Sequence, residues 1–184
     1  GLQEWTMSYA IKLDRNKDNQ AVLSPDFYSR VTADGALQMK VGETDDPKAF
    51  AKTKLQPGKW YYIAWVYKNQ HVRCYINGVL DNEFDVPKVE TFTKLNMSWG
   101  AFEGYVREIR LYNKALTAFQ VADNLYIETP DNPDLLFYAP LDKKTGIKDV
   151  SKKQNTIKVY AAGSNDATEY NQSLLTWSNE KFPE

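Results

Sequence analysis

The amino-acid sequence predicts an all-β protein, a two-sheet antiparallel β-sandwich with one short helix. Short runs rich in Trp, Tyr, Val and Ile alternate with turn residues along the chain, as in a sandwich. Aromatic residues make up 14% of the 184 residues, and such side chains suit pleated, half-buried surfaces. A helix start signal stands out at one place, near residues 117–127.

The first part of the chain is predicted to form short strands separated by turns. Residues 4–13 alternate between large apolar side chains and small or polar ones, which is the period of a strand. Asp34-Gly35 is a two-residue hairpin turn. The polar stretch 42–54 is predicted to be a loop. The predicted strands of this part are residues 4–13, 20–23, 27–31 and 36–41.

The clearest hairpin lies between Gly58 and Gly78. Two aromatic and β-branched runs, residues 60–67 and 72–76, flank the polar turn at 68–70, and Asn77-Gly78 is a second turn. Further strands are predicted at residues 79–84, 94–99 and 105–112.

One helix is predicted after these strands. Thr117 and Gln120 have the spacing of a capping box, in which each side chain bonds the other residue's amide. The helix is expected to end before Pro130, because the residue before a proline avoids the α region. Phe119, Ala122 and Tyr126 are predicted to share one face of this helix.

The segment 131–184 begins with a linker-like run, residues 131–134. Its apolar runs are short, at 135–141, 156–161 and 174–177. They are too few for an independent core without disulfides or a metal. We therefore predict a single domain over residues 1–184, in which 131–184 supplies closing strands.

Charge and cysteine content exclude several classes of function. The net charge is −1 with both signs spread along the chain, so no basic footprint of a nucleic-acid binder is present. No apolar run approaches the roughly 18 residues that cross a bilayer, so membrane insertion is not expected. Cys74 is the only cysteine, and it is predicted to face away from His71, since side chains alternate along a strand.

Two ordered sets of residues resemble a known family. The first set is Gly58, Trp60, Ala64, Tyr75, Asn77 and Gly78. The second set is Gly100, Phe102, Gly104, Val106, Glu108, Ile109, Arg110, Leu111, Tyr112, Asn113, Ala115, Leu116 and Thr117. Together they resemble the second half of a laminin-G-like, concanavalin A-like jelly roll, with Arg107 where that family often has Asp. The resemblance implies a jelly-roll fold whose members mostly bind and do not catalyse.

A later segment is similar to one that accompanies such domains in surface lipoproteins of Bacteroidetes. It comprises residues 138–142 followed by Asp149, Val150 and Ser151. The comparison implies an extracellular or cell-surface location in an outer-membrane-anchored parent protein. The chain itself begins abruptly at Gly1 without a signal peptide, as expected of a cut-out domain or a processed chain.

No catalytic constellation is found, so no catalytic residue is assigned and the protein is predicted not to be an enzyme. Glycosidases of this architecture typically carry carboxylates at alternate strand positions, because two carboxyl groups must flank one glycosidic bond. Glu108 has no such partner: its same-face neighbours are predicted to be Val106 and Arg110, and a structural ion pair between Glu108 and Arg110 is favoured.

No cofactor is assigned. Residues 14–19 place oxygen ligands at alternate positions, like the start of a calcium loop. That motif requires a glycine and a glutamate where Asn19 and Pro25 stand, and Arg15 and Lys17 oppose a cation. A solvated turn is favoured, and calcium is left open because some relatives of the fold hold it at a rim.

The candidate binding residues are aromatic. On the hairpin, the resemblance assigns Trp60, Tyr62, Ala64 and Val66 to the inter-sheet core. The other face would then lie outside, or under a loop or the helix, where it either stacks on sugar rings or packs another module. The candidates are Tyr61, Trp65 and Tyr67, provided that they are exposed, followed by Tyr28 and Arg30 near a turn.

Three functions remain open. The first is a non-catalytic carbohydrate-binding module with a glycan or polysaccharide as partner. The second is a structural or adhesive module with a protein partner. The third, disfavoured by the missing carboxylates, is a glycoside hydrolase of the same fold.

Overall fold

Two antiparallel sheets form the protein. A computed structural model describes residues 2–18, 20–25, 27–41, 50–86, 95–97, 102–158, 177–178 and 182. The strands in these residues are β1 (Glu4–Leu13), β2 (Gln20–Pro25), β3 (Phe27–Val31), β4 (Ala36–Val41), β5 (Phe50–Lys54), β6 (Trp60–Lys68), β7 (His71–Ile76), β8 (Val79–Asp85), β9 (Leu95–Met97), β10 (Gly104–Tyr112) and β11 (Leu135–Ala139). The helix α1 spans Ala118–Asp123. The six-stranded sheet has the order β11-β10-β1-β6-β7-β8, and the five-stranded sheet the order β5-β4-β3-β2-β9. The predicted β-sandwich with one short helix is confirmed.

The two predicted turns of the β6–β7–β8 meander are confirmed. Asn69 and Gln70 have φ of 51° and 62°, and Asn77 and Gly78 have φ of 51° and 80°. Positive φ at both central residues is the two-residue turn that matches the twist of paired strands.

The strand β5 corrects the prediction of a loop over residues 42–54, of which 42–49 lie outside the described residues. β5 pairs with β4, and Ala51 is buried in the core. The amides of Lys52 and Thr53 donate to the Asp81 carboxylate of β8, at 2.5 and 3.2 Å. The acceptor for the free amides of β5 thus comes from a strand of the other sheet, and a local sequence pattern does not predict such a distant contact.

The inter-sheet core contains the hairpin face that was expected to lie outside. Ile63, Trp65 and Tyr67 of β6 are at most 3% exposed and pack with Val31, Leu37 and Met39 of the opposite sheet. The Trp65 indole donates to the Tyr9 hydroxyl at 3.1 Å, and Tyr67 stacks on Trp5 with ring centroids 5.2 Å apart. The predicted assignment of the two hairpin faces is therefore wrong.

The opposite face of β6 forms a second core on the outside of the six-stranded sheet. Tyr62, Ala64 and Val66 are buried there, and α1 and β11 cover them with Val121, Leu135 and Tyr138. Because both faces of β6 are buried, alternation alone does not distinguish the inter-sheet face. The capping box of α1 is confirmed, with Thr117 and Gln120 exchanging bonds of 3.0 and 3.2 Å.

The helix α1 is shorter than predicted, so the three residues predicted to share one of its faces do not all lie on it. Phe119 is 76% exposed, and Val121 is the residue of α1 that is buried. The helix ends at Asp123, so Tyr126 lies beyond it. The six-residue helix meets the sheet with about one turn, which gives too short a stripe for a periodicity argument.

The segment after residue 131 contributes an edge strand. β11 pairs with β10, and the Asp149 carboxylate accepts from the amides of Tyr138, Ser151 and Asn155 at 3.0, 2.9 and 2.8 Å. The side-chain Nδ2 of Asn155 donates to the Leu136 carbonyl at 2.9 Å, which shields the edge. Residues 156–158 are not in a strand, and most of the two later predicted runs lies outside the described residues. The extent of the domain to residue 184 stays a prediction.

Candidate functional site

The structure separates the five binding residues predicted from the sequence. Trp65 and Tyr67 are 0% and 3% exposed in the inter-sheet core, so they do not form an exposed aromatic row. Tyr61 is partly buried at the margin of the same core, and its hydroxyl accepts from the Gln56 amide at 3.0 Å.

Tyr28 and Arg30 lie on the other sheet. In the β3–β4 register Tyr28 is opposite Lys40 and Arg30 is opposite Gln38. The partly exposed Arg30 donates through Nε to the Gln38 side-chain oxygen at 2.5 Å. The side chain of Tyr28 lies outside the described residues. These two positions therefore do not join the β6 candidates in one site.

A different set of aromatic residues meets on the outer face of the six-stranded sheet. The strand register places Lys12 of β1 opposite both Trp60 of β6 and Tyr105 of β10. The ring centroids of Trp60 and Tyr105 are 6.4 Å apart, and the Lys12 ammonium is 5.9 Å from the Tyr105 ring. All three side chains are partly exposed. They form a row of ring, cation and ring across three neighbouring strands.

A second layer borders this row. Arg107, opposite Ala10, places its guanidinium 4.3 Å from the centroid of the Phe182 ring and donates to the Pro140 carbonyl at 3.4 Å. The Phe182 ring meets Trp60 and Tyr126 edge to face, with centroids 5.1 and 5.5 Å apart and interplanar angles of 88°. We call these residues the Trp60 cluster: Lys12, Trp60, Tyr105, Arg107, Tyr126 and Phe182.

The Trp60 cluster combines flat apolar surfaces with fixed hydrogen-bond donors. An aromatic ring can stack on the apolar face of a sugar ring, while guanidinium and ammonium groups donate to its hydroxyls. Cation–π contacts at exposed sites contribute about 0.5–1 kcal/mol each and hold such cations in place. The six side chains include no carboxylate, so the arrangement is suited to binding and supplies no acid–base pair.

No local pattern in the sequence predicts the Trp60 cluster, because its members are distant in the chain. Lys12, Trp60 and Tyr105 come together only through the register of three strands. One local signal was available: Trp60 follows the polar residues Gly58 and Lys59 at the very start of its strand, a position near the end of the sheet where a ring is less covered.

Glu108 and Arg110 form the predicted structural ion pair, which is confirmed. The Arg110 guanidinium bonds Glu108 Oε2 at 2.6 Å, and both residues are at most 3% exposed. Tyr138 also donates to Glu108 Oε2, at 2.8 Å, and Arg110 donates to the Tyr62 hydroxyl at 3.0 Å. Burial, and next the Glu108 carboxylate, raise the pKa of Tyr138, so its hydroxyl keeps the proton that it donates. The Glu108 carboxylate therefore accepts hydrogen bonds from Arg110 and Tyr138 in the second core.

A β-bulge places Glu108 on the outer face of the six-stranded sheet. The pairing of β1 with β10 shifts between Ser8 and Ala10, and Glu108 has φ of 55°. Arg107 lies opposite Ala10 on the outer face, and Val106 packs against the inter-sheet core. The expectation that Val106 shares a face with Glu108 is therefore wrong, because the bulge inserts one residue and changes the alternation.

The lone cysteine and the lone histidine do not form a catalytic pair. Cys74 is 0% exposed in the inter-sheet core, and burial raises the pKa of its thiol. His71 is held between Asp85 and Glu83, at 2.7 and 3.1 Å. It lines a shallow depression of about 260 Å³ with Val66, Lys68, Asn69 and Arg73.

Two basic residues in the segment that resembles a calcium loop form ion pairs with a distant glutamate. Arg15 and Lys17 bond the Glu103 carboxylate at 2.7 and 2.9 Å, and these bonds, first that of Arg15, lower the pKa of Glu103 to about 2. Among the described residues, no group of three or more His, Cys, Asp and Glu side chains is arranged to hold a metal ion. Within the same part of the chain no helix is long and apolar enough to span a bilayer.

Solved structures that are similar to the chain share its fold. A candidate carbohydrate-binding protein from Bacteroides ovatus ATCC 8483 matches with a TM-score of 0.62 and 19% identity, over 77% of this chain and 46% of that one. Domain 4 of AbnA, a GH43 extracellular arabinanase from Geobacillus stearothermophilus in complex with arabinotriose, matches with a TM-score of 0.52 and 22% identity, over 67% and 66%. The sialidase CBM40 of Ruminococcus gnavus, bound to α2,3-sialyllactose, matches with a TM-score of 0.52 and 15% identity, over 68% and 84%. The chain thus spans less than half of the first of these proteins.

Sequence comparison identifies the family. No curated protein matches the chain in sequence. The model of the Laminin_G_3 family, described as the concanavalin A-like lectin/glucanases superfamily, matches residues 1–122. These residues include the whole β1–β10 scaffold and the capping box of α1. The chain belongs to the Laminin_G_3 family of the concanavalin A-like superfamily.

Proposed function

We propose that this domain is a non-catalytic glycan-binding module and that the Trp60 cluster is its binding site. One observation carries the proposal. The rings of Trp60 and Tyr105 and the ammonium of Lys12 occupy one row on three hydrogen-bonded strands, so a sugar would meet a surface whose parts are already positioned. Preorganisation of this kind lowers the entropic cost of binding.

The comparisons support the class of function. Two of the similar structures contain a bound oligosaccharide, arabinotriose in one and α2,3-sialyllactose in the other. Sequence identities of 22% and 15% indicate a shared fold, and the sugar class that this domain binds is not carried over from either protein.

Catalysis is disfavoured by the state of Glu108. A glycosidase needs one carboxylic acid and one carboxylate beside the scissile bond. Glu108 is buried, paired with Arg110 and bonded by Tyr138, so it offers no proton to a substrate.

We also propose an extracellular or cell-surface location, in a protein anchored to an outer membrane. One similar structure belongs to an extracellular arabinanase and another comes from a Bacteroides species. A module that holds a polysaccharide near a cell or a hydrolase is useful where polysaccharides are found, outside the cell.

The remaining sequence candidates lie at two separate places, one on each sheet. Tyr61 is partly exposed, and Arg30 is partly exposed on the five-stranded sheet together with the position of Tyr28. Trp65 and Tyr67 are not proposed, because a ligand does not reach them in the inter-sheet core.

An adhesive function is the second candidate, and one observation favours it. Val79, Leu80 and Phe119 are 69%, 46% and 76% exposed, and β8 and α1, which carry them, are in contact. Exposed apolar side chains on neighbouring elements are typical of protein-binding surfaces.

Titration calorimetry with arabinotriose, α2,3-sialyllactose, xylan and polygalacturonate tests the proposal. We expect weak, saturable binding of at least one glycan, lost in W60A and in Y105A. F119A is the matched control, since it removes an exposed ring outside the Trp60 cluster, and R30A probes the other sheet. Binding that survives W60A but is lost in R30A would refute the site. Release of reducing sugar by the purified domain would instead establish the hydrolase.

A further inference from the structure

The Phe182 ring occupies a position between Trp60, Tyr126 and Arg107 in the Trp60 cluster. It is edge to face with both Trp60 and Tyr126, and the Arg107 guanidinium lies 4.3 Å from its centroid. Phe182 is far along the chain from these three partners, so the contact is tertiary and is not imposed by the local backbone.

The same three groups provide what a sugar ring needs. The apolar face of a pyranose packs on indole and phenol rings, and its hydroxyls accept from a guanidinium that is already oriented by the Pro140 carbonyl. A ring in this position is surrounded by Trp60, Tyr126 and Arg107.

Resting on the proposed function, we propose that a sugar ring binds in the position that Phe182 occupies, between Trp60, Tyr126 and Arg107. Phe182 and the glycan therefore exclude each other, and the side chain acts as a built-in competitor of the ligand.

Competition lowers the apparent affinity by the fraction of molecules in which the position is open. Phe182 is only partly buried, so it can leave at a modest cost. Two aromatic pairs and one cation–π contact favour the occupied state, and once the entropic cost of ordering the side chain is subtracted we expect a net preference of about tenfold. Removing the ring should restore that factor to glycan binding.

The binding experiment compares the unmodified protein with F182A, using arabinotriose, α2,3-sialyllactose, xylan and polygalacturonate in the calorimeter. F182A is expected to bind about tenfold more tightly, and W60A/F182A is expected to lose binding. F119A, which removes an exposed ring outside the Trp60 cluster, is expected to leave the affinity unchanged. Thermal denaturation of each variant confirms that it is folded.

A second readout needs no glycan. Hydroxyl-radical footprinting with mass spectrometry measures the oxidation of Trp60 directly. If Phe182 covers the position, Trp60 is oxidised faster in F182A than in the unmodified protein, while oxidation at Trp65 in the core does not change.

The outcomes separate the two proposals. Glycan binding that depends on Trp60 but is equal or weaker in F182A would overturn the competition and leave the proposed function intact. Unchanged oxidation of Trp60 in F182A would overturn it as well. Absence of binding to all four glycans in both proteins would refute the proposed function, and the competition with it.

Discussion

The ion pair of Glu108 and Arg110 gives Glu108 a structural role. A glutamate on a strand of a lectin-like sheet suggests chemistry, yet here it holds Arg110 and Tyr138 beneath α1. A buried pair contributes little net stability, because desolvation offsets the attraction, but removing one partner leaves a buried charge alone. Here the pair and the Tyr138 hydroxyl join β10 to β11.

This role predicts non-additive mutations. E108Q leaves the Arg110 guanidinium buried beside a neutral amide and should destabilise the protein by about 3–5 kcal/mol. The double variant E108Q/R110M should be less destabilised than E108Q alone, since no uncompensated charge remains. Urea denaturation measures both. Equal free energies of unfolding for E108Q and the unmodified protein would show that the pair is dispensable.

His71 gives the protein a pH-dependent contact at the end of the β7–β8 pair. Hydrogen bonds to Asp85 and then to Glu83 raise the pKa of His71. A raised folded-state pKa means that the contact stabilises fully below the unfolded pKa and that this stabilisation is lost as pH rises through the folded value. His71 is the only histidine, so this step belongs to one group.

We therefore expect a small loss of stability as the pH rises above about 6.5, the unfolded value for histidine. The change should be less than about 1 kcal/mol, because the pair is surface-exposed and screened by water. Denaturation midpoints across pH 5.5–8.5 measure it, and H71N should remove the slope. A slope that persists in H71N would assign it to other groups.

Among the secondary-structure elements, those features were predicted correctly that depend on residues close together in the chain. The capping box and the positive-φ turns were predicted because each depends on residues within a few positions. The two faces of β6 and the contact of β5 with Asp81 were not predicted, because they depend on which distant segments pack against these strands. The bulge at Glu108 likewise follows from pairing with β1.

The N-terminal cap of α1 is expected to contribute to the free energy of unfolding of the whole protein. Thr117→Ala removes the bond to the Gln120 amide and is expected to cost about 1 kcal/mol. Thr117→Ser, which keeps the hydroxyl, should behave like the unmodified protein. Thermal unfolding compares the three, and an unchanged midpoint in the alanine variant would show that the cap bond is not needed.

At the scale of the molecule, the sequence predicted the sandwich but not where a ligand would meet it. Alternation and turns define strands, whereas the Trp60 cluster depends on the register of β6, β1 and β10 and on a contact from Phe182. Trp65 was predicted as a site residue because the resemblance assigned the other face of the hairpin to the inter-sheet core, where Trp65 in fact lies.

The segment after Asp131 is expected to be part of the folding unit. Ending the chain at Asn132 removes β11, exposes the edge of β10 and uncovers the buried Tyr62 and Arg110. This variant should aggregate or unfold at lower temperature. A variant that ends at residue 158 keeps β11 and the Asp149 bonds and serves as the control. Equal stability of the shorter variant would show that the unit matched by the family model folds without β11.

Nuclear magnetic resonance shows, residue by residue, whether a glycan binds on the Trp60 cluster. The five tryptophans give five indole N–H signals, and the spectrum of Trp60→Phe assigns that of Trp60. On titration with arabinotriose, α2,3-sialyllactose, xylan or polygalacturonate, we expect the Trp60 signal to shift while those of Trp5 and Trp65 in the core stay in place. A titration in which a glycan binds and the Trp60 signal does not move would show that the glycan binds elsewhere on the protein.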